Sequence, residues 1–224
     1  MRRTFRLTWR WFAAYTAPMQ APEIELKFSV DDIPALRASI HRLGLTLRTE
    51  RSFESNTLYD TPNRDLRGKR QLLRLREYNG HCVVTHKRPG EDKGADIRYK
   101  TRIETETQVE ECAAMAEIFT QLGFAPVFRY EKYRTEWDSA EGYHMVLDET
   151  PIGTWAELEG DPGWIDAMLA KLGVQQDRCT TESYGALFLR WKEAQTSPVN
   201  NLTFAEIGTR ETTAEIERAE ALMR

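Results

Sequence analysis

The sequence predicts an α+β fold in which an antiparallel sheet closes on itself, with helices packed against its outer, apolar side. Three observations predict it. Strand-like runs of period two recur along the chain, charged residues inside those runs fall at i and i+2, and a strand–helix unit appears twice.

Residues 1–20, MRRTFRLTWRWFAAYTAPMQ, are expected to be a disordered or mis-assigned extension, with Met19 as a candidate start. Arg6 and Arg10 interrupt its apolar run, leaving WFAAY, too short for the core of a signal peptide. Regular patterning begins at Pro22. In EIELKFSV, Ile24, Leu26 and Phe28 alternate with Glu23, Glu25 and Lys27, which reads as a strand. A helix follows, with Ile33, Leu36, Ile40 and Leu43 on one face, Asp31 or Asp32 as N-cap and Gly44 as terminator.

Strands are expected near 45–60, 70–78, 81–88 and 96–106, then a second helix from a capping box at Thr107–Glu110 to Gly123. Further strands near 125–137, 142–149 and 154–160 lead to two closing helices. One opens at Asp161-Pro162 and the other spans about 181–194, with Tyr184, Leu187, Phe188 and Trp191 on one face. Residues 21–194 thus form one domain. Residues 195–224 are mostly polar and are expected to be a loose tail, with a short helix around 212–223.

The repeat relates residues 24–45 to 103–124 without a gap. Ile24/Ile103, Glu25/Glu104, Val30/Val109, Leu43/Leu122 and Gly44/Gly123 coincide at an offset of 79, and Tyr59-Asp60 matches Trp137-Asp138 at 78. A duplicated half-domain argues for one closed unit over two independent ones.

Composition narrows the function. Thirty-one Lys and Arg against 35 Asp and Glu give a charge of −4, so nucleic-acid binding by bulk charge is not expected. No run is long and apolar enough for a membrane span. Cys82, Cys112 and Cys179 are odd in number and widely spaced, which indicates neither a disulfide framework nor a zinc site and favours a reducing cytoplasm. His41, His81, His86 and His144 show no metal-ligand spacing and read as surface or packing residues. Core packing likewise competes with ligand stacking for Tyr59, Trp155 and Tyr184.

The charges inside the strands are the unusual feature. Glu23/Glu25/Lys27, Arg74/Arg76, Arg102/Glu104/Glu106, Lys132/Arg134 and Glu157/Glu159 each share a strand face, and Lys87 and Asp148 fall in register with them. Side chains two apart on a strand point the same way, so each strand has one ionic and one apolar face. An ordinary wet sheet surface explains any single strand. Both signs at matched positions, with Arg and Lys in pairs suited to phosphate oxygens, point collectively to an inner face. Burying so many ions has no stability rationale, whereas a water-filled lumen holding a polyanion and divalent metals accounts for them.

These residues resemble the CYTH superfamily, the triphosphate tunnel metalloenzymes. The resemblance rests on Glu23-x-Glu25-x-Lys27, Tyr59-Asp60-Thr61-Pro62, Leu73-Arg74-Leu75-Arg76, Lys87 and Arg102-x-Glu104-x-Glu106. Glu131-Lys132-Tyr133-Arg134, Ala156-Glu157-Leu158-Glu159-Gly160 and Ser183-Tyr184 extend it over about residues 22–194. It implies an eight-stranded antiparallel barrel with a charged tunnel, binding a small-molecule triphosphate with Mg²⁺ or Mn²⁺. Arg74, Arg76, Lys132 and Arg134 would form the phosphate clamp, joined by Lys27, Lys87 and Arg102. Glu23, Glu25, Glu157 and Glu159 would hold metal, with Asp148 a further candidate. Glu104 and Glu106 would position the attacking water or support a second metal, with Lys87 beside them.

A cytoplasmic enzyme is expected, with a homodimer as one arrangement. Hydrolysis of the terminal phosphoanhydride is the first expectation. The alternatives are class IV adenylate cyclase chemistry and a non-catalytic polyphosphate or nucleotide binder.

Overall fold

In the computed structural model, residues 22–90 and 98–208 are described. The expected extension at 1–20 and the short helix at 212–223 lie outside them. Strands β1 (Pro22–Ser29), β2 (Thr46–Asp60), β3 (Leu72–Tyr78), β4 (His81–Pro89), β5 (Lys100–Val109), β6 (Ala125–Asp138), β7 (His144–Thr150) and β8 (Gly153–Glu159) are all antiparallel to their neighbours. Their order is β5-β4-β3-β2-β6-β7-β8-β1, and pairing of β1 with β5 closes the barrel. A two-residue strand β9 (Cys179–Thr180) adds to β1.

Closure needs curvature, and β2 supplies part of it. Its ladder with β6 shifts register at Leu47/Thr49, Thr49/Ser52 and Leu58/Tyr59. Such irregularities bend a strand and raise its local twist.

The helices cover the outer faces. Helix α1 (Ile33–Arg42) starts where Asp32 Oδ1 accepts from the Ala35 amide at 2.8 Å, and Gly44 turns the chain at φ +77°. A short α2 (Asp65–Gly68) links β2 to β3. Helix α3 (Cys112–Gln121) starts later than its capping box suggested, because Thr107–Val109 remain in the β5 ladder opposite Cys82–Val84. Cross-strand pairing overrides a local cap that sheet geometry leaves unused. Helices α4 (Pro162–Leu172) and α5 (Tyr184–Ala194) begin after Asp161 and Ser183 as the sequence indicates.

The repeat is visible in three dimensions. β1–α1–β2 and β5–α3–β6 follow the same course, and Gly123 turns at φ +87° as Gly44 does.

The largest core lies between the outer barrel face and α1 and α4. Leu26, Phe28, Met145, Leu147 and Leu158 meet Ile40, Ile165 and Leu169 there, all buried. A second cluster seats α5 through Leu187 and Phe188, and a third seats α3 through Phe119.

Two expectations are corrected. Residues 195–208 do not form a loose tail: Leu202 is fully buried and bridges Tyr130, and α6 (Phe204–Ile207) follows. Phe204 packs on Tyr133, and its amide donates to Glu131 Oε2 at 3.0 Å. Two apolar anchors in a polar segment are too few to register as a pattern. Cys82 and Cys112 form a disulfide, with Cα atoms 5.5 Å apart. Thirty residues separate them in sequence, but Cys82 pairs with Val109, three positions before Cys112. The free thiol among the described residues is Cys179.

Candidate active site

Alternation brings the ionic faces of all eight strands into one cavity of about 380 Å³. Every sequence-expected site residue lines it except Arg102 and Asp148. The side chains sort into three groups.

The first is a carboxylate trio. Glu23 and Glu25 from β1 and Glu159 from β8 each place an oxygen within 4.8 Å of the others. The register that pairs Glu25 with Glu159 creates this proximity. Burial, followed by the charges of Glu23 and Glu157, pushes the Glu159 carboxyl up to about 7. Lysines moderate the repulsion from outside: Lys87 Nζ contacts Glu23 at 2.6 Å and Lys100 pairs with Glu25. Converging all-oxygen donors of like charge fit a hard divalent cation such as Mg²⁺ or Mn²⁺.

The second group is a buried cation pair on β6. Lys132 Nζ lies 2.8 Å from Asp148 Oδ2 and 3.3 Å from Glu54 Oε1. Arg134 makes a fork with Asp148, Nε to Oδ1 at 2.7 Å and Nη2 to Oδ2 at 2.6 Å, and its Nη2 reaches Glu157 at 3.4 Å. Tyr184, the first residue of α5, donates to Asp148 Oδ2 at 2.6 Å. Its ring lies under the Lys132 and Lys27 ammonium groups, 4.8 and 4.5 Å from its centroid. Burial opposes ionisation of Glu54 and Glu157, but Lys132 and Arg134 beside the former and Lys27 beside the latter hold both carboxyls well below the usual range.

The third group faces it from β3, β4 and β5. Arg74 Nη2 lies 3.2 Å from Glu106 Oε1, and Arg76 Nη2 lies 3.7 Å from Glu106 Oε2. The buried Nε atoms of both arginines have no protein partner. Lys87 bridges to Glu104 at 2.9 Å. Burial, then the Glu23 charge and hydrogen bonds with Glu106 and Glu23, raise Glu104 to about 8 against the pull of Lys87. Burial acts against Glu106 too, but the hydrogen bond from Glu104, Arg76 and Thr85 bring it down to about 2. The surroundings thus push the two carboxyls apart, Glu104 toward its neutral form and Glu106 toward its charged form.

Three sequence assignments change. Asp148 is fully buried behind Lys132 and Arg134, its oxygens taken up by those cations and Tyr184, so it positions the clamp and offers no open coordination for metal. Glu157 stands apart from the trio, paired with Lys27 and Arg134. Arg102 shares the parity of Glu104, but its guanidinium leans away and donates to the Arg70 carbonyl at 2.8 Å.

Glu54, Lys100 and His144 were missed. Glu54 and Asn56 share the inward parity of Leu58, and Lys100 lies two residues before Arg102 on the same face, so a stricter i, i+2 count finds them. His144, read as a bystander, lines the cavity and pairs through Nδ1 with Asp138 Oδ1 at 2.6 Å.

The CYTH domain model matches residues 21–161, most of the barrel. The chain belongs to the CYTH domain family. A Methanocaldococcus jannaschii protein named as a candidate adenylate cyclase is 30% identical over 137 residues, covering 61% of this chain and 75% of that protein. A candidate adenylate cyclase from Vibrio parahaemolyticus shares the fold with TM-score 0.64 at 21% identity, covering 75% of this chain and 97% of its own. A Hippeastrum protein, described as a candidate adenylyl cyclase with a dominant triphosphatase activity, superposes with TM-score 0.55 at 20% identity over 75% and 96% of the two chains. Among the described residues no helix is long and apolar enough to cross a membrane.

Proposed function

We propose that this CYTH protein is a metal-dependent triphosphatase that hydrolyses the terminal phosphoanhydride of a triphosphate held inside the barrel. One observation carries the reading. A carboxylate trio suited to a divalent cation and two facing banks of Arg and Lys line the same cavity.

Arg74 and Arg76 on one wall and Lys132 and Arg134 on the other neutralise the phosphate chain and hold it in line. The free Nε atoms of Arg74 and Arg76 are donors still available to phosphate oxygen. Glu23, Glu25 and Glu159 would hold Mg²⁺ or Mn²⁺, which supplies Lewis-acid polarisation of phosphate oxygens. Glu104 and Glu106 orient the attacking water, and Lys87, which contacts both Glu23 and Glu104, keeps that pair next to the trio. No side chain need act as nucleophile, because phosphoryl transfer is catalysed mainly by positioning and charge. The activity described for the Hippeastrum protein supports the same reading.

Adenylate cyclase chemistry is the second reading, favoured by the name of the Methanocaldococcus jannaschii relative. Phosphorus NMR of products from tripolyphosphate, thiamine triphosphate and ATP, each with Mg²⁺ or Mn²⁺, separates the two. Orthophosphate supports hydrolysis. Pyrophosphate with cyclic AMP from ATP overturns it in favour of the cyclase, and absence of turnover with all three removes both.

A further inference from the structure

Outside the lumen lies a second concentration of positive charge that the proposed chemistry does not use. The α2 loop carries Arg64, Arg67, Lys69 and Arg70, all exposed, within seven positions of sequence. Arg102 joins them by donating to the Arg70 carbonyl. These five cations form no ion pair with any carboxylate among the described residues. Cations within the lumen, by contrast, are matched: Lys27, Arg74, Lys87, Lys132 and Arg134 each contact at least one. In a chain of net charge −4, positive charge gathered on one loop with no carboxylate ion pair among the described residues departs from the interspersed pattern of a solvated surface.

The loop is held in shape. Asp60 at the end of β2 accepts from the Leu66 and Arg67 amides at 2.9 and 3.0 Å, and Thr61 Oγ1 donates to Asp65 at 2.6 Å. Thr61 thereby occupies the acidic residue that sits within the run. Arg64 and Arg70, flanking α2, adopt the left-handed backbone at φ 60° and 56°, a region where glycine is the usual occupant. The loop is also continuous with the cavity. Leu72, two residues beyond Arg70, lines it, and Arg102 pairs in register with Glu23 of the trio.

The geometry points to an outer anion-binding collar, formed by Arg64, Arg67, Lys69, Arg70 and Arg102, that receives the part of a linear phosphate chain extending beyond the lumen. This rests on the triphosphate reading of the lumen and extends its substrate class to longer phosphate polymers. A chain whose end lies between Arg74 and Lys132 would emerge past Leu72 onto the loop, where each further phosphate finds a cation that has no carboxylate ion pair among the described residues.

The test is calorimetric binding of the full-length protein, in EDTA so that nothing turns over, to tripolyphosphate, a medium-chain linear polyphosphate and an oligodeoxynucleotide of matching charge. The polyphosphate is expected to bind about tenfold more tightly than tripolyphosphate, with the steeper salt dependence that additional phosphate contacts produce. The Arg67→Glu/Lys69→Glu variant should erase that difference and leave tripolyphosphate affinity within about twofold. Arg102→Gln, a milder change remote from α2 in sequence, should reduce it in part and serves if the double variant misfolds. Equal binding of the two phosphate ligands by the unaltered protein, or a preference that survives both variants, overturns the collar. So does an oligonucleotide that binds as tightly as polyphosphate, which would make the surface a nucleic-acid site. Collar-dependent polyphosphate binding without any tripolyphosphate binding would instead leave the collar standing, and the lumen reading then falls only if the phosphorus NMR assay with Mg²⁺ or Mn²⁺ also shows no turnover.

Discussion

The carboxylate trio and the Lys132–Arg134 pair stand in one lumen and handle charge in opposite ways. On β6 each cation is held by buried carboxylates, Asp148 and Glu54 among them, so the clamp is internally balanced and fixed in place. Across the barrel, Glu23, Glu25 and Glu159 crowd like charges, and Glu159 is pushed up to about 7. Removing one partner from the first region would strand a buried charge, whereas removing a carboxylate from the second would relieve repulsion. The Lys132–Arg134 pair is matched within the protein, whereas the trio is a crowding of like charges that a bound divalent cation would relieve.

Breaking the balanced side should have the largest structural effect. Asp148→Asn removes the partner of two buried cations, and urea unfolding should show a loss of about 3 kcal/mol or more. A loss below about 1 kcal/mol would mean that the clamp is not held by that carboxylate. Breaking the crowded side should do the reverse. Glu159→Gln is expected to cut turnover about a hundredfold without lowering the melting temperature of the metal-free protein. Unchanged turnover would remove the trio from the chemistry.

Arg76→Ala, which takes one finger from the clamp and leaves Arg74 in place, should raise KM for tripolyphosphate about tenfold with a smaller change in kcat. Steady-state kinetics at saturating metal decides it.

The smallest effect is one of pH. Glu159 and Glu104 have folded-state pKa values raised to about 7 and about 8 from a carboxylate's usual 4.5. A raised acid gives stability that is full below its unfolded pKa and lost as pH rises through the folded one. In EDTA the melting temperature should therefore fall by several degrees, roughly, between pH 5 and pH 8. The carboxyls held low, Glu25, Glu54, Glu106 and Glu157, lose their contribution only below that window. Added Mg²⁺ should flatten the slope, and a metal-free protein equally stable at both pH values would contradict the crowding.

Much of this contrast is legible in the sequence, because strand parity is a local property. Glu23, Glu25 and Lys27 declare their shared face without reference to the rest of the chain. Which charges meet is not local. Asp148 and Glu157 look like metal ligands by type and parity, and only the β6–β7 and β1–β8 registers, which set Asp148 opposite Arg134 and Glu157 opposite Lys27, turn them toward cations. Glu54 escaped notice because its inward neighbours at i+2 and i+4, Asn56 and Leu58, carry no charge, so no ionic i, i+2 pair marks it. Arg102 was overread for the opposite reason. Its parity is right, but at the barrel's rim a long side chain can leave the lumen for a carbonyl outside. The disulfide was invisible because its spacing reflects the β4–β5 pairing instead of a motif.

The closing seam has a consequence for how the molecule is made. Strand β1 is the first to be synthesised, yet its partners are β5 and β8, so the lumen does not exist until the chain has reached Glu159. Until then the ionic faces remain in water and repel or attract one another only weakly. Closing the seam and withdrawing those charges from bulk solvent are a single late event, made of contacts between the two ends of the domain. Such long-range closure folds slowly. The pairing of β8 with β1 is also what assembles the trio, so ions that favour the trio favour the same contact that completes the barrel.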